Sequence, residues 1–266
     1  MIIIGEKLNS TLSNVHSAIE NHDAAFIQDL ALRQSDAGAV YIDINAGMFL
    51  SDEPEKLEWM VESVQDAIKT PLSLDSPNPR AIERALKANK NSKPLINSIT
   101  CENERFNTLL PLISEYNTSV IALCLDDNGM PETVEDRLMI SDRLINRLVK
   151  AGISIDDIFI DPMIRPISTG SNYGIIALDT IRKVRESFPN VHITSGLSNV
   201  SFGLPVRKLL NQAFLVSAIY AGMDAAIMNP LDKRLMSLLY ASETLVGKDD
   251  YCMEFLTKFR EGYFES

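Results

Sequence analysis

Short apolar runs alternate along this chain with longer stretches whose apolar residues recur at helical spacing, and this alternation, repeated eight times, restricts the fold more than any other feature. Runs at residues 2–4, 40–44, 71–74, 95–96, 120–125, 158–160, 191–194 and 225–228 read as eight buried strands. Between them, Leu57, Met60, Val61, Val64 and Ile68, or Phe106, Leu109, Leu110 and Ile113, lay an apolar stripe along one helix face. Leu231, Leu235, Leu238, Leu239 and Leu245 form the last of eight such helices. Repeated βα units close into a (β/α)8 TIM barrel of the α/β class, and 266 residues is an ordinary length for one. A doubly wound sheet needs fewer strands and a glycine-rich first turn, and no G-x-G-x-x-G occurs. One domain over residues 1–266, without a linker, is therefore expected. Residues 249–266 add an extra C-terminal helix whose Tyr251, Phe255 and Phe259, four apart, suit packing against the barrel or a partner subunit.

Composition removes several function classes. A net charge of -11 and a pI near 4.8 disfavour a nucleic-acid partner, which needs a basic face. No apolar run approaches the roughly 18 residues of a membrane helix, and Met1-Ile2-Ile3-Ile4 is cut short by Gly5-Glu6-Lys7. No signal peptide is recognised, so a cytoplasmic location is expected. Cys101, Cys124 and Cys252 form no C-x-x-C pair and read as reduced bystanders; His16, His22 and His192 are too scattered for a metal centre.

Barrels of this class carry their chemistry at the carboxyl ends of the strands. There the sequence places Glu6 and Asn9 after the first strand, Asp43 and Asn45 at the second, Asp75 at the third, Asn97 at the fourth, Asp161 at the sixth and Gly196-Leu197-Ser198-Asn199 at the seventh. The set consists of acceptors and amides with few cations. Only Lys7, in the first loop, is a lysine, which disfavours Schiff-base chemistry, and the lack of clustered histidines disfavours a binuclear hydrolase. Asp43, Asp75 and Asp161 suit a Mg2+ ion. The same side chains suit a heterocycle such as a pterin, whose pyrimidine edge offers adjacent donors to carboxylates and mixed positions to Asn. Helix capping is the bland alternative, and all of Asp75, Asn97, Asp161 and Asn199 serving only as caps is the weaker reading.

Six segments carry a family likeness: Ile4-Gly5-Glu6-Lys7-Leu8-Asn9, Asp43-Ile44-Asn45, Leu74-Asp75-Ser76, Ile96-Asn97-Ser98, Ile160-Asp161-Pro162 and Gly196-Leu197-Ser198-Asn199-Val200-Ser201, the last followed by Arg207 and Asn211. With them the chain resembles the methyltetrahydrofolate:corrinoid methyltransferases, among them an acetogen enzyme serving the corrinoid iron-sulfur protein and the pterin domain of cobalamin-dependent methionine synthase. The resemblance implies a barrel, usually a homodimer, that binds tetrahydrofolate or 5-methyltetrahydrofolate as substrate through Asp75, Asn97 and Asp161. Asn199 would reach N5 as the catalytic residue, and Glu6, Asn9, Asp43, Gly196, Ser198 and Arg207 would line the same cavity. It implies no metal.

None of the three histidines sits in D-x-H-x-x-G, the segment by which many corrinoid proteins ligate cobalt, so the corrinoid (cobalamin) is expected on a separate protein. A tertiary amine releases its methyl group poorly unless N5 gains a proton or a strengthened hydrogen bond, which makes the Asn199 amide the candidate donor. A dihydropteroate synthase-like enzyme would want a cation where Ser198-Asn199 stands. A non-catalytic pterin-binding protein would need no donor at N5. A Mg-dependent barrel enzyme is the remaining alternative.

Overall fold

The computed structural model describes residues 1–264. Its strands are β1 (Ile2–Asn9), β2 (Tyr41–Asn45), β3 (Leu72–Asp75), β4 (Leu95–Thr100), β5 (Ser119–Leu123), β6 (Ile158–Asp161), β7 (His192–Ile193) and β8 (Ala225–Met228). Sequence neighbours pair in parallel, and β8 returns to pair with β1. At the seam between β7 and β8, Ile227 N–H donates to Ser195 O at 2.9 Å and a single parallel bridge joins Gly196 to Ile227. The eightfold pattern thus yields the expected (β/α)8 TIM barrel.

Between β1 and β2 lie α1 (Ser13–Glu20) and α2 (Ala24–Asp36). Then α3 (Glu53–Ala67), α4 (Pro79–Ala88), α5 (Asn103–Glu115), α6 (Val134–Lys150), α7 (Tyr173–Ser187) and α8 (Arg207–Ala221) each follow a strand, and α9 (Lys233–Leu245) follows β8. Helix α1 is an addition to the eight expected; it spans eight residues and buries Val15, Ala18 and Ile19, too short a stripe to stand out as periodicity.

Strand alternation divides the interior into two levels. Ile4, Leu95, Ile121, Phe159 and Ala225 form an apolar floor inside the barrel, with Tyr41 packed against it. Successive residues of a strand face opposite sides, so the next inward position lies two residues on. Those positions are Glu6, Asp43, Asn97, Leu123 and Asp161, all lining the mouth. The outward positions, including Ile42, Ile44, Leu74, Ile96, Val120 and Ile160, pack under helix residues such as Leu57, Met60, Val61 and Leu109. Each such side chain contributes about 1.5–3 kcal/mol when fully buried, so the outer layer stabilises the barrel while the inner face is free to be polar at one end.

The expected C-terminal helix is α10 (Met253–Arg260), but its aromatic triplet does not pack as a set. Tyr251 precedes the helix in a turn with φ of 56° and is exposed, as is Phe259. Phe255 instead stacks on Phe264 at 4.6 Å, and Tyr240 of α9 meets Tyr263 edge-on. Glu265 and Ser266, the end of the expected 1–266 span, lie outside the described residues.

Candidate functional site

The mouth opens into a cavity of about 680 Å³. Glu6, Asn9, Asp43, Asp75, Asn97, Asp161, Gly196, Ser198, Asn199 and Arg207 all line it, so the ten residues singled out from sequence are brought together. Glu6, Lys7 and Asn9 do not follow β1, as expected, but belong to it. The pairing of β1 with β2 slips between Gly5 and Leu8, and this bulge changes the alternation so that Glu6, Lys7 and Asn9 all reach the cavity while Leu8 stays in the outer core. Gly5 is needed at the slip: a Cβ there would lie 2.7 Å from Oε1 of the buried Gln34, which accepts from Lys7 N–H at 2.9 Å.

On the β1–β4 side the carboxylates are linked. Ser73 Oγ donates to Asp43 Oδ1 at 2.6 Å and Asn97 Nδ2 to the same oxygen at 3.2 Å. Asn45 Nδ2 donates to Asp75 Oδ2 at 2.9 Å, and its own Oδ1 accepts from Ser10 Oγ and Gly47 N–H. Burial lifts Asp43 to about 6, against the pull of its two hydrogen bonds and with help from the Glu6 charge. Burial first, then the Asp43 charge, pushes Asp75 well above the ordinary carboxylate range. Burial also raises Glu6, while Lys7, Arg207 and a hydrogen bond from Ser198 pull it down. Arg105 braces the carboxyl ends of β3 and β4 on this side through Nε to Ser98 O at 2.9 Å and Nη2 to Ser76 O at 3.1 Å.

On the opposite side Asp161 is held by main chain. Met163 N–H donates to its Oδ1 at 2.8 Å, and that bond and one from Gly196 N–H restrain a pKa that burial raises to about 6. Asn199 lies on a tight turn, Leu197–Ser201, after β7. Its side-chain amide has no protein hydrogen bond among the described residues and faces the cavity. Gly196 leaves room for it, since a Cβ there would come within 2.9 Å of Asn199 Nδ2. Arg207, first residue of α8, clamps the turn: Nη2 donates to Ser198 O at 2.8 Å and Nε to Ser201 Oγ at 3.1 Å, while Ser201 Oγ donates to Asn211 Oδ1 at 2.6 Å.

Capping explains few of these residues. The caps of α2, α4, α6 and α9 are Asp23, Asn78, Thr133 and Asp232, leaving Asp75 and Asn97 to the cavity. The mouth is less purely anionic than its sequence suggests, because Lys7, Arg207 and Lys208 all line it. The sequence reading also missed Asn229 and Asp232, which line the cavity beyond β8. Asn229 directly follows the last apolar run, so the strand-end rule applied there would have found it; Lys208 carries no comparable signal. Among the described residues no three His, Cys, Asp or Glu side chains are grouped to hold a metal ion, and Asp43 and Asp75 face Ser73, Asn97 and Asn45 instead.

A family model described as pterin binding enzyme matches residues 5–229. Methylcorrinoid:tetrahydrofolate methyltransferase of Eubacterium limosum is 40% identical over 265 residues, covering 98% of this chain and 97% of that protein. Methionine synthase of Mycobacterium tuberculosis is 29% identical over 242 residues, which are 86% of this chain and 20% of the synthase. Among solved structures, dihydropteroate synthases of Yersinia pestis with a sulfonamide drug and of Xanthomonas albilineans with 7,8-dihydropteroate both reach a TM-score of 0.71. They are 16% and 17% identical, covering 93% and 92% of this chain and 94% and 93% of theirs, a likeness of fold alone.

Proposed function

The chain belongs to the pterin-binding enzymes, and on that premise we propose that it moves a methyl group between N5 of tetrahydrofolate and a corrinoid carried by a separate protein. The observation that carries this reading is the unpaired Asn199 amide, set by Gly196 and the Arg207 clamp beside a ring of buried hydrogen-bonding groups. Support for the direction comes from the E. limosum relative, whose name has the methylcorrinoid as donor and tetrahydrofolate as acceptor.

Asp161, fixed by main-chain donors, and Asp75, braced by Asn45, accept from the N–H groups of the pterin's pyrimidine edge. Asn97, whose Nδ2 is engaged by Asp43, offers its carbonyl to a further ring donor. The corrinoid supplies the methyl group on cobalt when its carrier docks. As N5 takes the methyl it gives up its proton, and in reverse it must gain one; the Asn199 amide orients the N5 lone pair and strengthens its interaction as charge changes there. Glu6 and Asp43, both raised by burial, sit in the same cavity to take up that proton through water.

The protein acts as a single domain and as a homodimer in the cytoplasm, with no nucleic-acid or membrane partner and no metal of its own. The dimer reading is supported by the exposed Leu245, Tyr251 and Phe259 near the C-terminus, and the cytoplasmic one by three free cysteines. Among the described residues no helix is long and apolar enough to cross a membrane.

Calorimetric titration with 5-methyltetrahydrofolate tests the central claim. Saturable binding is expected below about 1 mM, the upper end of ordinary KM values; no binding at that concentration overturns it. Transfer should be slow with free cobalamin and accelerated by the carrier protein.

A further inference from the structure

The barrel closes least completely between β7 and β8. Among the described residues no strand ladder joins them. Three main-chain contacts span the gap: Asp224 N–H donates to Ile193 O at 3.3 Å, Ile227 N–H donates to Ser195 O at 2.9 Å, and Gly196 bridges to Ile227. Thr194 N–H points to β6, where it meets Ile160 O, so Ile193 N–H, one residue back, points across the gap and needs an acceptor. It finds a side chain. Asp224 Oδ1 accepts from Ile193 N–H at 2.7 Å, standing where a strand carbonyl would be in a full ladder.

We infer that Asp224 is the latch of this seam and the positioning residue of the turn above it, which carries Asn199. β7 ends at Ile193, Gly196 forms the uppermost contact with β8, and the turn Leu197–Ser201 follows at once. Asn199 N–H donates back to Gly196 O at 3.1 Å, so the residue whose amide faces the cavity hangs from the top of the seam that Asp224 fastens at its foot. The inference goes beyond the proposed reaction, since it holds for whatever ligand takes the cavity.

The latch is braced from several elements. His192 of β7 hydrogen-bonds Asp224 Oδ2 through Nδ1 at 2.9 Å and stacks on Phe159 of the floor at 4.6 Å. Arg185 of α7 forms an ion pair with Oδ1, its Nη2 lying at 2.8 Å, and reaches main chain on both sides of the gap. Its Nε donates to Gly222 O, after α8, at 3.0 Å, and its Nη1 to Val191 O, before β7, at 2.9 Å. Gly222 leaves the room for it, since a Cβ there would lie 2.9 Å from Arg185 Cγ. Lys248, beyond α9, adds a further cation, its Nζ donating to the neighbouring Met223 O at 3.3 Å. Burial works against the charge of Asp224, but the hydrogen bonds from His192 and Ile193 N–H and the Arg185 charge hold its carboxyl below the ordinary range. At neutral pH it therefore binds its donors as a charged acceptor.

Amide hydrogen exchange of the ligand-free protein tests the latch. In Asp224→Ala the amides of Ile193, Ile227 and Asn199 should exchange about tenfold faster or more, the scale of a lost hydrogen bond to a charged group. Ile42 N–H, bonded to Pro71 O beside β3, should keep its rate. Asp224→Asn keeps an acceptor for Ile193 N–H and should recover most of the protection. Lys93→Ala cuts the ion pair to Asp157 at the foot of β6 and should leave all three amides unchanged. Unaltered exchange of Ile193 and Ile227 in Asp224→Ala overturns the latch; faster exchange there with Asn199 unmoved overturns the positioning role. Equal acceleration by Lys93→Ala would reduce both to a general weakening of the barrel and overturn the inference. Should Asp224→Ala not fold, Arg185→Gln is read on the same amides, with a smaller acceleration expected and wild-type rates overturning the latch.

Discussion

The two sides of the barrel mouth hold their carboxylates by different means. On the β1–β4 side, Asp43 shares one oxygen between Ser73 and Asn97, the Glu6 charge acts on Asp43, and the Asp43 charge acts on Asp75. Across the cavity, Asp161 has no carboxylate among the causes of its shift and is set by the backbone of Met163 and Gly196. Side-chain partners can rearrange when a proton arrives, whereas main-chain donors are fixed by the fold. The first side is therefore suited to holding and passing protons, the second to presenting an acceptor and an amide in unchanging positions. Three experiments probe that contrast, beginning with the largest effect.

Asn199→Ala removes the only group assigned to the reacting nitrogen. Single-turnover transfer with saturating corrinoid protein should fall about a hundredfold, the order seen when one transition-state hydrogen-bond donor is deleted. Pterin affinity should fall much less. Parallel losses of rate and affinity would make Asn199 a binding residue and return the catalytic role to the β1–β4 side.

Asp161→Ala should behave in the opposite sense. It removes a charge-assisted acceptor used equally in ground and transition states, so pterin affinity should weaken by roughly 1.5–3 kcal/mol while transfer at saturation is retained. A fall in the saturated rate that matched Asn199→Ala would show that the fixed side does not divide binding from chemistry.

The smallest effect is on stability and depends on pH. A carboxyl whose folded pKa is raised binds its proton more tightly folded than unfolded. Its favourable contribution is complete below the ordinary value of 3.8 and is lost as pH climbs to about 6, where Asp161 and Asp43 titrate. Urea unfolding of the ligand-free protein should therefore find Asp161→Asn more stable than wild type by about 1–2 kcal/mol at about pH 7, the gap closing near pH 4. Asp43→Asn should in addition lower the titration of Asp75, since the Asp43 charge helps to raise it, whereas Asp161→Asn should leave Asp75 unmoved. Carbon-13 NMR of labelled aspartates reads this directly, and equal responses would abolish the distinction between the two sides.

Much of the barrel is legible in the chain because a strand buried on one face by helices and on the other by the floor reads as an apolar run. β8 matches its run residue for residue. β7 is only two residues long: of the rest of its run, Thr194 N–H donates to Ile160 O of β6 and Val191 is tied to Phe188 and Arg185, while the seam with β8 is made by Ser195 and Gly196 beyond the run, so length there depends on a partner distant in sequence. β1 extends to Asn9 through polar residues that periodicity alone assigns to a loop. At the site, Asp75, Asn97 and Asp161 are visible because they end apolar runs, while the bracing roles of Asn45 and Arg105 are not, since each reaches a partner through space.

By itself the sequence determined the number of strands and the polar mouth, since these follow from local alternation and strand-end position. Tertiary structure decided which carboxylates would feel one another, because Asp43 meets Ser73 and Asn97 across 30 and 54 residues of chain. It also brought Lys208 of α8 and Asn229 beyond β8 to the cavity, and set Arg165 and Arg137 beside one another. Burial and pairing at such separations arise only when the barrel closes, and proton affinity follows from burial and pairing, not from residue type alone.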